Sequence, residues 1–164
     1  MKAYRAEDLR GATQALFTRD TFDEFLLSEA QVKTFCTFSV SGKTERGWYA
    51  EEELSRGEIG DSAPWRKIRP FLFSLIRGSR VPESFRITLK LAPAAAEQFL
   101  RESGETAGEK NGGFFLNFRY EEGVLTCVSA ASLSSFPPDR TLEEAFDRWT
   151  AEFFRSHGIA VLEL

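Results

Sequence analysis

Alternation of apolar and polar positions is the strongest signal along this chain. Gln31–Ser41 places Val32, Thr34, Cys36, Phe38 and Val40 on one side and Lys33, Phe35, Thr37 and Ser39 on the other, the period-2 signature of a half-buried strand. Glu83–Leu91 repeats it, with Phe85, Ile87, Leu89 and Leu91 toward a core and Arg86, Thr88 and Lys90 outward. Gly113–Ala131 reads as a hairpin: Phe114, Leu116, Phe118 and Tyr120 share a face, Glu121-Glu122-Gly123 supply the turn, and Val124–Ala131 returns. Further extended segments are expected at Lys2–Arg5, Phe22–Leu27, Trp48-Tyr49 (ended by Glu51-Glu52-Glu53) and Ile159–Leu164.

Between these strands the period changes to that of a helix. Leu9, Ala12 and Leu16 mark a first helix from Glu7, which Gly11 weakens by about 1 kcal/mol and Arg19-Asp20-Thr21 breaks. Asp61–Gly78 holds a second, with Trp65, Ile68, Leu72, Leu75 and Ile76 as its apolar stripe, Pro64 at the first helical position and Gly78 at the C-terminal cap. Pro70 has no N–H to give, so the pattern predicts a kink there, or two short helices with Pro70 opening the second. Pro93 opens a third helix to about Glu102, with Ala96, Phe99 and Leu100 inward. The glycine-bearing stretch Ser103–Gly113 is expected to be a mobile loop, and Pro137-Pro138 punctuates a later connection. Thr141-Leu142-Glu143-Glu144 matches a capping box for a last helix to about Ser156, with Leu142, Phe146, Trp149 and Phe153 inward and Gly158 at its end.

These elements predict an α+β fold: a mainly antiparallel sheet packed by helices, in one domain over residues 1–164. Strand–helix–strand–strand occurs twice, in half-units 1–50 and 83–132, with a helical insert at 61–78 and a C-terminal helix and strand at 141–164. Composition adds that the core is ring-rich, since the chain holds 16 Phe and 3 Trp. A net charge of −4 with 28% charged residues describes an ordinary solvated surface. The compact apolar run Phe71–Ile76 is far short of the ~20 residues that cross a bilayer, so no membrane span is expected. The N-terminal residues show no signal-peptide pattern, and two cysteines do not make a disulfide framework. Cys36 and Cys127 are expected to be buried, reduced thiols in a cytoplasmic protein.

Four phrases spread over most of the chain are Thr21-Phe22-Asp23-Glu24-Phe25, Thr37-Phe38-Ser39-Val40-Ser41-Gly42, Ile76-Arg77-Gly78-Ser79-Arg80-Val81-Pro82 and Phe115-Leu116-Asn117-Phe118-Arg119-Tyr120. They resemble an uncharacterised domain family of Clostridia-type bacteria, a resemblance that implies no particular activity. The doubled element order is also similar to one domain of a DNA sliding clamp, on element order alone. The chain departs from that pattern in its C-terminal helix and strand, and a ring needs several such domains.

No residue set for catalysis or metal binding stands out. Ser41-Gly42-Lys43-Thr44 resembles the end of a phosphate-binding loop, but Thr37 stands where that loop needs glycine, and no apolar helix follows; a turn is the better reading. The lone His157 precedes Gly158 at a helix end, where a cation favours the dipole. The acidic residues Asp20, Asp23, Glu24 and Glu29, and Glu51 to Asp61, lie in polar connections and read as solvated faces. No cofactor or metal is expected.

Charge is asymmetric, however. Between Arg66 and Lys90 stand seven positive residues against Glu83 alone, a net +6, so the rest of a chain of net −4 carries −10. Arg77, Arg80, Arg86 and Lys90 are therefore the candidates for an anion- or partner-binding surface, unless they pair with the abundant carboxylates. Three readings follow: a non-catalytic binding or scaffold domain, able to self-associate through its sheet edges; a nucleic-acid-binding accessory protein using that basic set; and an enzyme whose site is assembled only by folding.

Overall fold

The structure, a computed structural model, describes residues 1–104, 112–132 and 140–164. Seven strands form one antiparallel sheet: β1 (Ala3–Ala6), β2 (Phe25–Lys33), β3 (Thr37–Ser41), β4 (Ser84–Leu91), β5 (Gly113–Glu121), β6 (Val124–Ser132) and β7 (Val161–Glu163). Their order across the sheet is β3-β2-β4-β5-β6-β1-β7, and every neighbouring pair is antiparallel. Helices α1 (Leu9–Phe17), α3 (Trp65–Ile76), α4 (Pro93–Glu102) and α5 (Arg140–Ser156) accompany it, with the short α2 (Glu51–Ser55) in the connection after β3. The fold is α+β, as the hydrophobic pattern predicts. The doubled order β1-α1-β2-β3 and β4-α4-β5-β6 is present, but the two units are used differently. β4 lies beside β5 of its own unit, whereas β4, β5 and β6 stand between β1 and β2.

The alternation explains which face is covered. Phe85, Ile87, Leu89 and Leu91 of β4, Leu116, Phe118 and Tyr120 of β5, and Leu125 and Cys127 of β6 are all buried on one side. Rings from the helices meet them there. Phe17 of α1 lies edge-on to Phe85 at 5.5 Å and beside Trp65 of α3 at 5.9 Å. Phe99 of α4 meets Phe114 at 4.8 Å and Phe146 of α5 at 5.6 Å. Each aromatic pair adds roughly 0.5–1.5 kcal/mol beyond the area it buries. The indole N–H of the buried Trp65 donates to the Leu16 carbonyl at 2.8 Å, so a core ring also satisfies a helix end.

At several places the chain departs from the expected elements, each for a local reason. Gln31–Ser41 is not one strand. The chain reverses at Thr34-Phe35-Cys36, where the Thr34 N–H donates to the Cys36 carbonyl at 3.0 Å, and β3 folds back onto β2. Cys36 therefore sits exposed in a hairpin turn, and only Cys127 is buried. Phe22–Leu27 is not extended throughout: a turn occupies Thr21–Glu24, and β2 starts at Phe25. Trp48-Tyr49 is not a strand. Arg46–Trp48 form a 3-10 turn, and the three glutamates expected to end a strand build α2, where the Glu53 carboxylate accepts from the Ala50 N–H at 2.8 Å. Pro64 is the residue before α3 rather than its first, and Pro70 neither opens nor ends a helix but lies within one. Pro70 and Arg66, whose carbonyl loses its partner, are both exposed, so water can serve that oxygen. Thr141 is inside α5 and not its cap.

Two turns demand their residues. Glu122 (φ 51) and Gly123 (φ 77) join β5 to β6 with positive φ at both positions, the two-residue hairpin geometry whose twist matches the strands. Gly42 lies where the chain crosses β2. A Cβ there would stand 1.7 Å from the Leu27 carbonyl oxygen, so the loop-like phrase around Lys43 is a tight crossing and not a phosphate cradle. The expected loop at Ser103–Gly113 and the Pro137-Pro138 break lie largely or wholly outside the described residues.

Candidate functional site

Among the described residues the other face of the sheet carries no helix, and it is lined by the outward half of each strand's alternation. Register places its side chains in rows across the strands. One row runs Ser39, Gln31, Arg86, Arg119, Thr126, Arg5 and Leu162, from β3 to β7. The next runs Ser41, Glu29, Thr88, Asn117, Val128 and Ala3. Neighbouring strands lie ~4.8 Å apart, so Arg86 and Arg119 are directly adjacent and Arg5 is two strands further on. A bulge at Ser28 shifts the β2–β4 register, which keeps both Leu27 and Ala30 inward and both Glu29 and Gln31 on the open side.

From β3 to β6 the rows line a broad trough of about 900 Å³, open to solvent, and Arg5 lies beyond it on β1. Its floor is polar but mostly neutral: the Thr88 hydroxyl donates to the Asn117 side-chain oxygen at 3.0 Å, and the Asn117 amide lies 3.3 Å from the Val128 carbonyl. The charged groups are more telling. Arg119 is paired with Glu121 two residues along its own strand. Arg5 and Arg86 form no ion pair among the described residues, and both are exposed. Like charges directly opposite on neighbouring strands are destabilising, so the juxtaposition of Arg86 and Arg119 is a cost, set against the Arg119–Glu121 pair alone among the described residues.

The four basic residues singled out from the sequence are divided by the fold. Arg86 and Lys90 share the open face of β4, four residues apart, with the Lys90 amine 5.9 Å from the centre of the Phe115 ring. Arg77 and Arg80 lie in the exposed connection from α3 to β4, off the sheet. None of the four pairs with a carboxylate among the described residues, unlike Arg69, which bonds Asp23 at 3.4 Å and the Phe17 carbonyl at 3.2 Å and so ties α3 to the end of α1. Arg5 and Arg119 were not among the expected residues. Their outward positions were visible in the alternation, but not that register would bring them into line with Arg86.

A family of unknown function, DUF5721, matches residues 15–161. The chain belongs to that family. No curated protein and no solved structure matches it, and the likeness to a clamp domain gains no support. In this DUF5721 member β2 through α5, including Arg86, Arg119 and every residue lining the trough, lies within the matched segment, whereas Arg5 lies before it.

Other polar groups have structural partners. His157 Nδ1 stands 2.8 Å from the Phe153 carbonyl and its ring lies 4.2 Å from that of Phe153, a helix-end role. The buried Asp147 of α5, unremarked in the sequence, accepts from the Ser129 hydroxyl at 2.5 Å and from the Met1 amine at 2.8 Å, and its backbone carbonyl accepts from the Tyr4 hydroxyl at 3.1 Å. Burial works against the Met1 charge, but hydrogen bonds to Asp147 and Glu143 outweigh it and raise the amine's pKa. Burial pushes the Cys127 thiol well up, away from the reactive thiolate. Among the described residues no group of three or more His, Cys, Asp or Glu side chains could hold a metal ion, and no helix is long and apolar enough to cross a membrane.

Proposed function

We propose that this protein is a non-catalytic binding domain, and that its open sheet face takes an acidic protein segment. One observation carries the reading: Arg86 and Arg119 stand side by side in an open trough, with Arg5 in the same row two strands further on, and Arg5 and Arg86 lack carboxylate partners among the described residues. Guanidinium groups match carboxylates bidentately, and neutral hydrogen-bonding side chains such as Gln31, Thr88 and Asn117 suit a polypeptide backbone laid across them. A nucleic-acid platform would need several exposed rings on which bases stack, and among the described residues the half-buried Phe115 is the aromatic that the strands present on this face. We place this activity in a reducing, cytoplasmic setting, on the single-domain organisation expected from the sequence.

Fluorescence anisotropy with a labelled glutamate-rich peptide tests the reading. Arg5→Gln, Arg86→Gln and Arg119→Gln combined should weaken binding at least tenfold, while Arg77→Gln with Arg80→Gln should change it less than twofold. Equal losses in both variants, or tighter binding of a single-stranded oligonucleotide of the same charge, would overturn it.

A second reading, self-association, is favoured by the edge position of β3. Its segment Thr37–Ser41 carries no charge to blunt an unpaired edge. Sedimentation at high protein concentration decides: a strict monomer removes it.

A further inference from the structure

Where the row of Arg86 and Arg119 meets the row of Lys33, Ser84 and Glu121, the open face dips into a small separate hollow of about 50 Å³. Its walls come from Gln31, Lys33, Ser84, Arg86, Arg119 and Glu121, with the backbone of β4 and β5 beneath. One water needs ~10–15 Å³ of such space, so the hollow has room for a small polyatomic anion and not for a larger ligand. Three cationic side chains border it against one carboxylate, and that carboxylate, Glu121, is already engaged by Arg119. Lys33 and Arg86 have no ion-pair partner among the described residues.

We infer that this hollow is a binding site for one phosphate-type oxyanion, held between Arg86, Arg119 and Lys33, with Gln31 and Ser84 as neutral hydrogen-bond donors. This deepens the reading of the open face as a binding surface and rests on it. The arrangement gives the ligand a reason to be a dianion. A doubly charged group satisfies the opposed arginines together, where a single carboxylate satisfies one, as Glu121 does. Glu121 then acts as an internal competitor that the ligand displaces from Arg119.

NMR titration of the full chain with inorganic phosphate, and separately with O-phosphoserine, tests this at constant ionic strength. Saturable shifts should centre on residues 31–33, 84–86 and 119–121. Arg86→Gln should weaken phosphate at least tenfold, Glu121→Gln should tighten it several-fold, and Arg77→Gln with Arg80→Gln should leave it within twofold. O-phosphoserine affinity should rise between pH 5 and 7 as its phosphate takes a second charge at a pKa of ~6, and inorganic phosphate should follow about one pH unit higher. O-phosphoserine binding more than tenfold tighter than phosphate places the anion on a partner's side chain, near-equal affinities place it free in solution, and both support the site. Non-saturating shifts, shifts spread over all exposed arginines, or an Arg86→Gln variant within twofold of the wild type would overturn it. If phosphate fails while the glutamate-rich peptide still binds through Arg5, Arg86 and Arg119, only the hollow is refuted; if both fail, the reading of the face falls as well.

Discussion

At the scale of single residues, the contrasts lie between groups of one type in different surroundings. Cys36 is exposed at a hairpin tip and Cys127 is buried in β6, with its thiol pushed up by burial. Iodoacetamide should therefore alkylate Cys36 in the native protein and spare Cys127 until the chain is unfolded; mass spectrometry showing both modified at equal rates would contradict the fold around β6. Tyr4 offers a test of the junction between β1 and α5. Burial first, and then the nearby Asp147 charge, raises its phenol from an ordinary value near 10 to about 12. Because the folded value is the higher one, the associated stability is complete below pH ~10 and is lost as pH rises toward 12: the unfolded phenol ionises there while the folded one keeps its proton. Tyr4→Phe removes that dependence along with a hydrogen bond worth about 1 kcal/mol. Urea unfolding at pH 9 and pH 11.5 should show the variant less stable at the lower pH and the gap closing at the higher. A gap that stays constant would mean that Tyr4 ionises equally in both states.

At the scale of elements, Pro70 makes the sharpest prediction. It lies on the exposed side of α3 and leaves the Arg66 carbonyl without a helical partner. Pro70→Ala restores that bond and a good helix former, so it should stabilise the protein by roughly 1–3 kcal/mol, read as a higher urea midpoint at unchanged slope. An unchanged or lower midpoint would show that the proline's rigidity in the unfolded chain matters more. The hidden β2–β3 hairpin shows why other elements were illegible. Val32 pairs with Phe38 and Ala30 with Val40, so the chain reverses and still returns its apolar residues to the same face. Alternation continues through such a turn without a break, and Thr34-Phe35-Cys36 holds no glycine, proline or asparagine to announce it. By contrast β4, β5 and β6 were readable because each is a long alternating run bounded by turn residues. The candidate site was only half readable for a related reason. Each outward arginine is visible in its own strand, but their alignment depends on register between strands far apart in sequence, which periodicity does not carry.

At the scale of the whole molecule, one face of the sheet is closed by rings and the other, among the described residues, is open, with two arginines opposed across neighbouring strands. That asymmetry separates a structural role for Arg86 from a binding role. If Arg86 served the fold, removing it would destabilise the protein; if it is held ready for an anion, the unliganded protein bears a repulsion that substitution relieves. Cross-strand pairs are worth roughly 0.2–1 kcal/mol, so Arg86→Gln should raise the stability of the unliganded protein by a few tenths of a kcal/mol while weakening anion binding at least tenfold. Salt provides the internal control. Charges on an exposed face are screened over ~10 Å at 0.1 M and ~3 Å at 1 M, so the advantage of Arg86→Gln should be largest in dilute chloride and should vanish near 1 M. Phosphate in place of chloride should reverse the order, because the wild type gains the larger binding free energy. Thermal unfolding in the two salts reads both effects. A variant that is less stable in dilute chloride would assign Arg86 to the architecture, and an anion partner would no longer be needed to account for the charge on the open face.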